Sequence, residues 1–462
     1  MNQPAKTFVL IGVIVSSLLL MHQLPTLSVA GTEFRHVNIL SMLQPELEEK
    51  EVDVIPVPKI PKPKVAVTKE GKPVRFVEKW GKGIMPIVDF SGGKAGGMEH
   101  FYAMLDSVKL LHRPVRIAYY GDSYIEGDIL TADLREMFQA KFGGNGVGWV
   151  DCGTPIVRLR RSIRQNYSGI TEYVVVKKPF GSSRQSLAER YYVPREGARV
   201  LTKASSHYPH AASWTSAKLF FRARTSLCVK ATSSSGAVTS HKFGGSPGVQ
   251  MFETTGNMTS IDYRFTNIGS GTTLFGMALE SNTGVVLDNF SVRGASGTTL
   301  AKIPVNTLND FSRLRPYDLI IIHFGLNVAV KGNPTSVMEG YTRKMKKVVQ
   351  HFQSNFPKAS IMIVSVSDRD QRSENGFKTM HEVKKLVALQ ERMAADTHVA
   401  FYNFFKAMGG EGSIKLLVDR NMANKDYTHL SFGGGTAVAK KVFPSFIAGL
   451  DNYKRRKKLE QQ

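Results

Sequence analysis

Strand-like and helix-like segments alternate in two parts of this chain, and this alternation limits the fold more than any other feature. Residues 115–120 form an apolar, β-prone run typical of a buried strand, and residues 129–142 carry apolar side chains at helical spacing. The same alternation resumes at residue 285 and continues to about residue 450. The pattern predicts an α/β fold with a parallel, doubly wound sheet covered by helices on both faces.

A segment with little helical periodicity separates these two parts. From about residue 151 to residue 284, short β-prone runs are divided by turns rich in Ser, Gly and Asn, such as Ser233-Ser234-Ser235-Gly236. Short strands at this spacing are typical of an all-β sandwich. Because the segment interrupts the α/β pattern, we expect a β-sandwich inserted into an α/β domain.

The N-terminal segment predicts export. An apolar run, Thr7–Met21, could cross a bilayer if it extends through Val29. Ser28-Val29-Ala30 before Gly31 also fits a signal-peptidase site. Either interpretation places the body of the protein in the periplasm or cell envelope. We expect a retained inner-membrane anchor, because the candidate cleavage site lies some way beyond the apolar core.

Shifts in composition divide the chain into six parts. After the N-terminal segment, dense charge and four closely spaced prolines, Pro56, Pro58, Pro61 and Pro63, predict an extended tether. The predicted parts are the anchor or signal peptide (1–30), the tether (31–95), the first part of the α/β domain (96–150), the inserted sandwich (151–284), the second part of the α/β domain (285–453) and a basic tail (454–462).

The net charge of +23 favours an anionic partner, such as nucleic acid, anionic lipid or an acidic wall polymer. The sequence contains no zinc-finger spacing, RNA-binding sheet signature or interleaved basic and aromatic stripe, so nucleic acid is disfavoured. Cys152 and Cys228 show no metal-binding spacing. They could pair in an exported protein or remain separate core residues.

Loops that follow predicted strands carry the residues that acyl transfer requires. Ser123 lies between a strand end and a helix start. His429 can act as its base, and Asp426, three residues earlier, can orient and stabilise the imidazolium. The backbone N–H groups of Ser123 and Gly294 and the side-chain amide of Asn327 could bind an oxyanion. This chemistry needs no metal and no organic cofactor.

These loops resemble, in chain order, the four signature blocks of the SGNH (GDSL-like) hydrolases. The blocks are Gly121-Asp122-Ser123 with Gly127, then Gly294, then Gly325-Leu326-Asn327, then Asp426-Tyr427-Thr428-His429. The resemblance covers about residues 115–139 and 285–450. It implies a flavodoxin-like three-layer α/β/α fold, with Ser123 as nucleophile, His429 as base and Asp426 as its partner. It also implies an oxyanion hole from Ser123, Gly294 and Asn327.

One position departs from the family pattern. Val328 stands where these hydrolases often have Asp after the block-three Asn. The departure leaves the side-chain amide of Asn327 in place. It therefore does not alter the expected oxyanion hole.

The inserted β segment, the Gly-Asp-Ser-Tyr first block and Asp288-Asn289-Phe290 before Gly294 are similar to bacterial peptidoglycan O-acetylesterases. This resemblance implies a carbohydrate-binding-like insertion. It also implies a serine esterase that removes the O-acetyl group from C6 of N-acetylmuramic acid through an acyl-enzyme on Ser123, with O-acetylated peptidoglycan as partner. Two alternatives stay open: an exported polysaccharide O-acetyltransferase with the same triad, and a glycan-binding protein with an idle catalytic core.

Overall fold

The computed structural model describes residues 3–23, 28–29, 32–33, 58–59, 65–373 and 376–462. The chain divides into two compact units, residues 1–55 and 56–462. In the first unit, the helix α1 (Gln3–Gln23) contains the predicted apolar run, and the short strands β1 (Ser28–Val29) and β2 (Thr32–Glu33) pair antiparallel. Within the described residues, no helix combines the length and apolar character needed to span a membrane. Within the predicted tether, residues 31, 34–57 and 60–64 lie outside the described residues.

The second unit contains the remaining elements. Its strands, in chain order, are β3 (Val65–Val67), β4 (Pro73–Arg75), β5 (Ile87–Asp89), β6 (Val115–Gly121), β7 (Gly148–Val150), β8 (Ile163–Val174), β9 (Arg190–Ala204), β10 (Trp214–Arg222), β11 (Ser226–Ser233), β12 (Val238–Gly244), β13 (Gln250–Met258), β14 (Ser260–Thr266), β15 (Thr273–Glu280), β16 (Val285–Ser291), β17 (Leu319–His323), β18 (Ser360–Val364), β19 (Asp370–Ser373), β20 (Gly376–Thr379) and β21 (Ala400–Tyr402). Its helices are α2 (Glu99–Asp106), α3 (Thr131–Phe142), α4 (Val305–Leu314), α5 (Thr335–Asn355), α6 (His381–Asp396), α7 (Phe404–Met408), α8 (Ser413–Asp419) and α9 (Phe432–Glu460). Short 3-10 turns lie at Glu126–Asp128, Pro155–Leu159, Ser182–Arg184, Pro209–Ala211 and Thr298–Lys302.

A six-stranded sheet in the order β16-β6-β17-β18-β21-β5 forms the centre of the α/β part. The first five strands run parallel, and β5 joins the edge antiparallel. Every residue of β6, β17 and β18 is buried, because parallel strands are covered on both faces. The helices pack in two groups, α2 with α3 and α9, and α4 with α5 and α6. The predicted three-layer α/β/α fold is confirmed, with a mixed rather than purely parallel sheet.

The chain from Val65 onward departs from the predicted tether. The hairpin of β3 and β4 packs on α9, and Phe76 is buried. The backbone N–H of Lys79 donates to the Asn452 side chain (2.8 Å), whose amide donates back to the Lys79 carbonyl (3.0 Å). Strand β5 then completes the main sheet. The α/β domain therefore begins well before residue 96, because apolar side chains that follow the Pro-rich segment are buried against this domain.

The inserted segment forms a β domain, as predicted. Its nine antiparallel strands form one continuous sheet in the order β12-β11-β14-β9-β15-β10-β13, with β7 beside β15 and β8 beside β9. The two halves of the expected sandwich are therefore joined by hydrogen bonds through the long strand β9. Side chains such as Trp214, Val229 and Tyr263 enclose a buried core. Cys152 lies in this core, Cys228 is half-buried on β11, and both thiols are free.

The basic C-terminal run is part of α9 and not a separate tail. Arg456 forms ion pairs with Glu99 of α2 and with Glu460 one turn further along α9. Lys454 pairs with Asp106, at the end of α2, at 3.1 Å. Ion pairs with the acidic residues of α2 thus hold the C-terminal basic residues in α9 and against the domain beyond residue 453.

Candidate active site

The loop after β6 carries Ser123 at the carboxyl edge of the main sheet. Gly121, the last residue of β6, is in register with Ser291 of β16 and with His323 of β17. The loops that leave these three strands therefore start side by side, where α/β proteins bind ligands. A Cβ atom on Gly121 would lie 2.7 Å from the Ile125 side chain and 3.1 Å from the His323 carbonyl oxygen. Glycine is thus required where the nucleophile loop begins.

The same loop turns sharply before α3. The backbone is left-handed at Gly127 (φ +70°), Asp128 (φ +69°) and Leu130 (φ +69°), so the helix begins at Thr131 and not at the predicted residue 129. Left-handed backbone is unfavourable for a non-glycine residue and must be held by its surroundings. Ion pairs from Arg135 (2.9 Å) and Arg160 (3.0 Å) to the Asp128 carboxylate hold this turn.

The structure brings Ser123, His429 and Asp426 into one chain of hydrogen bonds. Ser123 Oγ lies 2.8 Å from His429 Nε2, and His429 Nδ1 lies 2.7 Å from Asp426 Oδ2. Asp426 Oδ1 accepts the backbone N–H groups of Thr428 and His429, both at 3.0 Å. In this geometry the imidazole can accept a proton from the serine while the carboxylate stabilises the resulting imidazolium.

The Asp426 carboxyl is set to stay ionised. Partial burial raises its pKa, but the hydrogen bond from the His429 ring and those from the two backbone N–H groups outweigh that effect, so its pKa lies below the ordinary value. A carboxylate held in this way fixes the orientation of the imidazole ring.

The triad is open to solvent. The side chains of Asp426 and His429 are 48% and 31% exposed, so a bulky substrate can reach them. Among the described residues, no cluster of three or more His, Cys, Asp or Glu side chains is arranged to hold a metal ion.

Asn327, in the third block, contacts both the second block and the nucleophile loop. Its amide Nδ2 donates to the Ala295 carbonyl at 2.9 Å and lies 3.4 Å from Asp122 Oδ2. Gly294, next to Ala295, has a left-handed backbone (φ +77°). In the described part of the chain, the backbone N–H groups of Ser123 and Gly294 have no hydrogen-bond partner. These two groups are therefore available to a ligand.

Sequence reasoning missed several residues that hold these loops. Arg293 forms an ion pair with buried Glu126 at 2.6 Å, linking the second block to the first. Asn289 Nδ2 donates to the Ile125 carbonyl and to Thr131 Oγ1, both at 2.7 Å. No local pattern marks such residues, because their partners are distant in the sequence. Only their position next to a signature block was a signal.

Two further contacts support the third and fourth blocks. Arg369 donates to the carbonyls of Leu326 (3.1 Å) and Ala329 (3.2 Å), on either side of Asn327. The Phe377 ring of the β19–β20 hairpin stacks on Tyr427, with ring centroids 3.6 Å apart. Tyr427 lies between Asp426 and His429 in the chain, so the hairpin fixes the loop that carries them.

His323, the last residue of β17, packs in the interior. It is buried, its Nδ1 lies 3.0 Å from the Tyr119 hydroxyl, and its ring packs on Tyr124 and Phe404. Burial lowers its pKa to about 3, so the ring is neutral at physiological pH.

Asp122, next to the nucleophile, is buried, and burial raises the pKa of its carboxyl from 3.8 to about 6 against the lowering effect of the Tyr124 N–H. A carboxyl whose pKa is raised on folding destabilises the fold as the pH rises through 4 to 6. We therefore expect Asp122→Asn to stabilise the protein at pH 8 by up to roughly 3 kcal/mol more than at pH 4, since each pKa unit is worth about 1.4 kcal/mol. Chemical denaturation at both pH values measures this difference.

A matched control for this experiment is Asp419→Asn, an exposed carboxylate paired with Lys415 on α8. Its effect should be within about 0.5 kcal/mol at both pH values. An Asp122→Asn variant whose stability gain is the same at pH 4 and pH 8 would show that Asp122 is not held at a raised pKa.

Comparison with known proteins agrees with the fold and with an acylhydrolase domain in the second half of the chain. Residues 261–431 match the family model described as GDSL-like Lipase/Acylhydrolase family. The matched stretch contains Gly294, Asn327, Asp426 and His429 but not Ser123. No curated protein matches the chain.

Among solved structures, the chain is similar to one titled "Peptidoglycan O-acetylesterase in action", at 22% identity and a TM-score of 0.64, over 79% of this chain and 99% of the other. A second match is a family two carbohydrate esterase from Cellvibrio japonicus, at 10% identity and a TM-score of 0.25, over 63% of this chain and 99% of the other. The first match shows that most of the chain shares a known fold.

Residues 261–431 thus match the GDSL-like acylhydrolases, and the hydrogen-bonded Ser123, His429 and Asp426 have the arrangement of a serine esterase. In its fold the chain resembles a solved peptidoglycan O-acetylesterase.

Proposed function

We propose that this protein removes O-acetyl groups from a cell-wall glycan, and that its substrate is peptidoglycan acetylated at C6 of N-acetylmuramic acid. The observation that carries the proposal is the hydrogen-bonded chain from Ser123 through His429 to Asp426, open to solvent at the sheet edge. The similarity in fold to a peptidoglycan O-acetylesterase supports the choice of substrate.

In the proposed reaction, Ser123 Oγ attacks the acetyl carbonyl carbon while His429 Nε2 takes the hydroxyl proton. The tetrahedral intermediate collapses, the sugar oxygen leaves, and His429 returns the proton to it. A water molecule then loses a proton to His429 and attacks the acetyl-enzyme, which releases acetate and restores Ser123. Asp426 stabilises the imidazolium that forms in both halves of the reaction.

The oxyanion of each intermediate is proposed to lie against the N–H groups of Ser123 and Gly294 and the amide of Asn327. Asn327→Ala should lower kcat by on the order of 100-fold or more with little change in KM, because an oxyanion donor acts mainly in the transition state. Initial rates with an aryl acetate measure both constants.

Asn309→Ala, which removes an exposed amide on α4, is the control for this change and should leave both constants unaltered. If Asn327→Ala instead keeps the parent kcat, the residue does not belong to the oxyanion hole.

We also propose that the protein works outside the cytoplasm, held near the inner membrane by its N-terminal segment. The apolar run Thr7–Met21 and the Pro-rich stretch after it support this location. Fractionation of cells that express the full chain tests it: recovery in the cytoplasmic fraction would contradict the proposal.

The experiment that tests the function is acetate release from O-acetylated peptidoglycan by the full chain. Chemically de-O-acetylated peptidoglycan and the Ser123→Ala variant serve as controls, and neither should release acetate. Turnover of aryl acetate without acetate release from peptidoglycan would support esterase activity but contradict peptidoglycan as the substrate. Transfer of acetyl to an added glycan, in place of release to water, would identify an O-acetyltransferase.

A further inference from the structure

A basic groove, which we name the arginine groove, lies where the inserted β domain meets the nucleophile loop. The 3-10 turn Pro155–Leu159, the start of β8 and the segment around His207 enclose a volume of about 610 Å³. Its walls include Arg158, Arg160, Arg161 and Arg164. The groove is thus unusually rich in guanidinium groups.

These guanidinium groups are not all alike. Arg160 has a structural role, because its guanidinium pairs with Asp128 and donates to the Trp149 carbonyl. Arg158, Arg161 and Arg164 are exposed, and none of them has an ion-pair partner among the described residues. No Asp or Glu among the described residues lines the groove. Three uncompensated cations therefore face one concave surface, which attracts anions.

Two contacts connect the arginine groove to the active-site loops. Leu159 packs against Gly127 of the nucleophile loop so closely that a Cβ atom on that glycine would lie 2.9 Å from the Leu159 Cβ. The Arg161 guanidinium stacks on the ring of Phe432, 3.9 Å from the ring centroid. Phe432 follows His429 by three residues. A ligand in the groove would therefore extend toward both Ser123 and His429.

We infer that the arginine groove binds carboxylate groups of an acidic glycan chain and thereby presents the ester of that chain to Ser123. Guanidinium groups bind carboxylates through paired hydrogen bonds, and exposed arginines keep their charge at all physiological pH values. Asn166 and Ser205 in the same walls can hydrogen-bond sugar hydroxyls. This inference rests on the proposed function, since it names a property of the substrate of the same site. The carboxylates can come from the peptide stems of peptidoglycan or from the uronic acids of another wall polysaccharide.

The test compares two triple variants that remove the same charge. Arg158→Gln/Arg161→Gln/Arg164→Gln alters the groove, and Arg343→Gln/Lys344→Gln/Lys347→Gln alters exposed cations of α5. The groove variant should raise the KM for the acidic polymer about tenfold or more, while its kcat/KM for a small aryl acetate stays within about twofold of the parent. The α5 variant should match the parent on both substrates.

Binding separates this inference from the proposed function. In a Ser123→Ala background, titration with peptidoglycan strands and with an acetylated polyuronate measures the affinity of the groove without catalysis. The inference is supported if Ser123→Ala binds either polymer and the added groove substitutions abolish that binding. Conversion of the polymer carboxylates to amides should abolish it as well. This result holds even if acetate is never released. The preferred polymer identifies the source of the carboxylates.

Three results would overturn the inference. One is equal loss of polymer binding in the groove and α5 variants, which would mean non-specific attraction. Another is loss of aryl acetate turnover in the double variant Arg158→Gln/Arg164→Gln, which leaves the Arg161 stack on Phe432 intact. The third is groove-dependent binding of a single-stranded oligonucleotide but of neither acidic glycan.

Discussion

Replacing Ser123 by alanine should lower ester hydrolysis by on the order of 10⁵-fold and leave the fold unchanged, because the serine oxygen is the proposed nucleophile and loses only one hydrogen bond on removal. Turnover of aryl acetate and acetate release from peptidoglycan measure the loss, and thermal unfolding checks the fold. A fluorophosphonate probe should label the parent on Ser123 and should not label the variant.

Three companion variants make this prediction specific. His429→Ala should cause a similar loss, and the double variant should lose little more, since nucleophile and base act as a unit. Ser312→Ala, on α4, removes a serine whose hydroxyl donates to the Asn309 carbonyl and should retain parent activity. If Ser123→Ala keeps a tenth of the parent rate, another group performs the attack.

The Glu280→Gln variant should lose about 3–5 kcal/mol of stability, because it leaves buried cations without their carboxylate. Glu280, at the end of β15, accepts from Arg116 (2.8 Å), Arg315 (2.7 Å) and Lys218 (3.0 Å). Arg315 also pairs with buried Asp288 at 2.7 Å. The glutamine variant would retain three cations against buried Asp288 and the partly exposed Glu253, which lies 3.6 Å from Lys218. Denaturant unfolding of parent and variant measures the cost.

The same cluster predicts a pH dependence. Burial raises the pKa of Glu280, but Arg116 and Arg315 outweigh it, so its pKa lies well below 4.5. A depressed pKa stabilises the fold above the unfolded-state value, and this contribution is lost as the pH falls below 4.5. The stability gap between parent and Glu280→Gln should thus be full at pH 7 and shrink in acid.

Glu253→Gln is the matched control for the buried cluster. Glu253 is one-third exposed and lies 3.6 Å from Lys218, so its loss should cost at most about 1 kcal/mol. Equal unfolding midpoints for Glu280→Gln and the parent would mean that the cluster contributes nothing to stability.

This cluster has a structural role that bears on function. Glu280 and Lys218 lie on strands of the inserted β domain, whereas Arg116 and Asp288 lie on strands of the main sheet. Ion pairs without solvent access therefore bind the insertion to the strand that ends at the nucleophile loop. This connection fixes the position of the inserted domain relative to the strand that leads to Ser123.

The hairpin of β19 and β20 and the predicted tether show where prediction from the sequence failed. The hairpin of β19 and β20, which holds Tyr427 through Phe377, was not predicted, because its short strands carry no alternating apolar pattern. The predicted tether reached residue 95, yet Ile87–Asp89 forms the sheet edge. A three-residue strand has too few side chains to show a period.

The sequence by itself determined the α/β class, the insertion and the order of the loops that carry Ser123, Gly294, Asn327, Asp426 and His429. These features depend on apolar periodicity and on turn residues, which are local properties of the chain. Only the tertiary structure decided the 2.8 Å contact of Ser123 with His429, the buried charge cluster around Glu280 and the place of the arginine groove beside the active site. Those features join residues up to 306 positions apart, and such pairs meet only when the sheet has assembled.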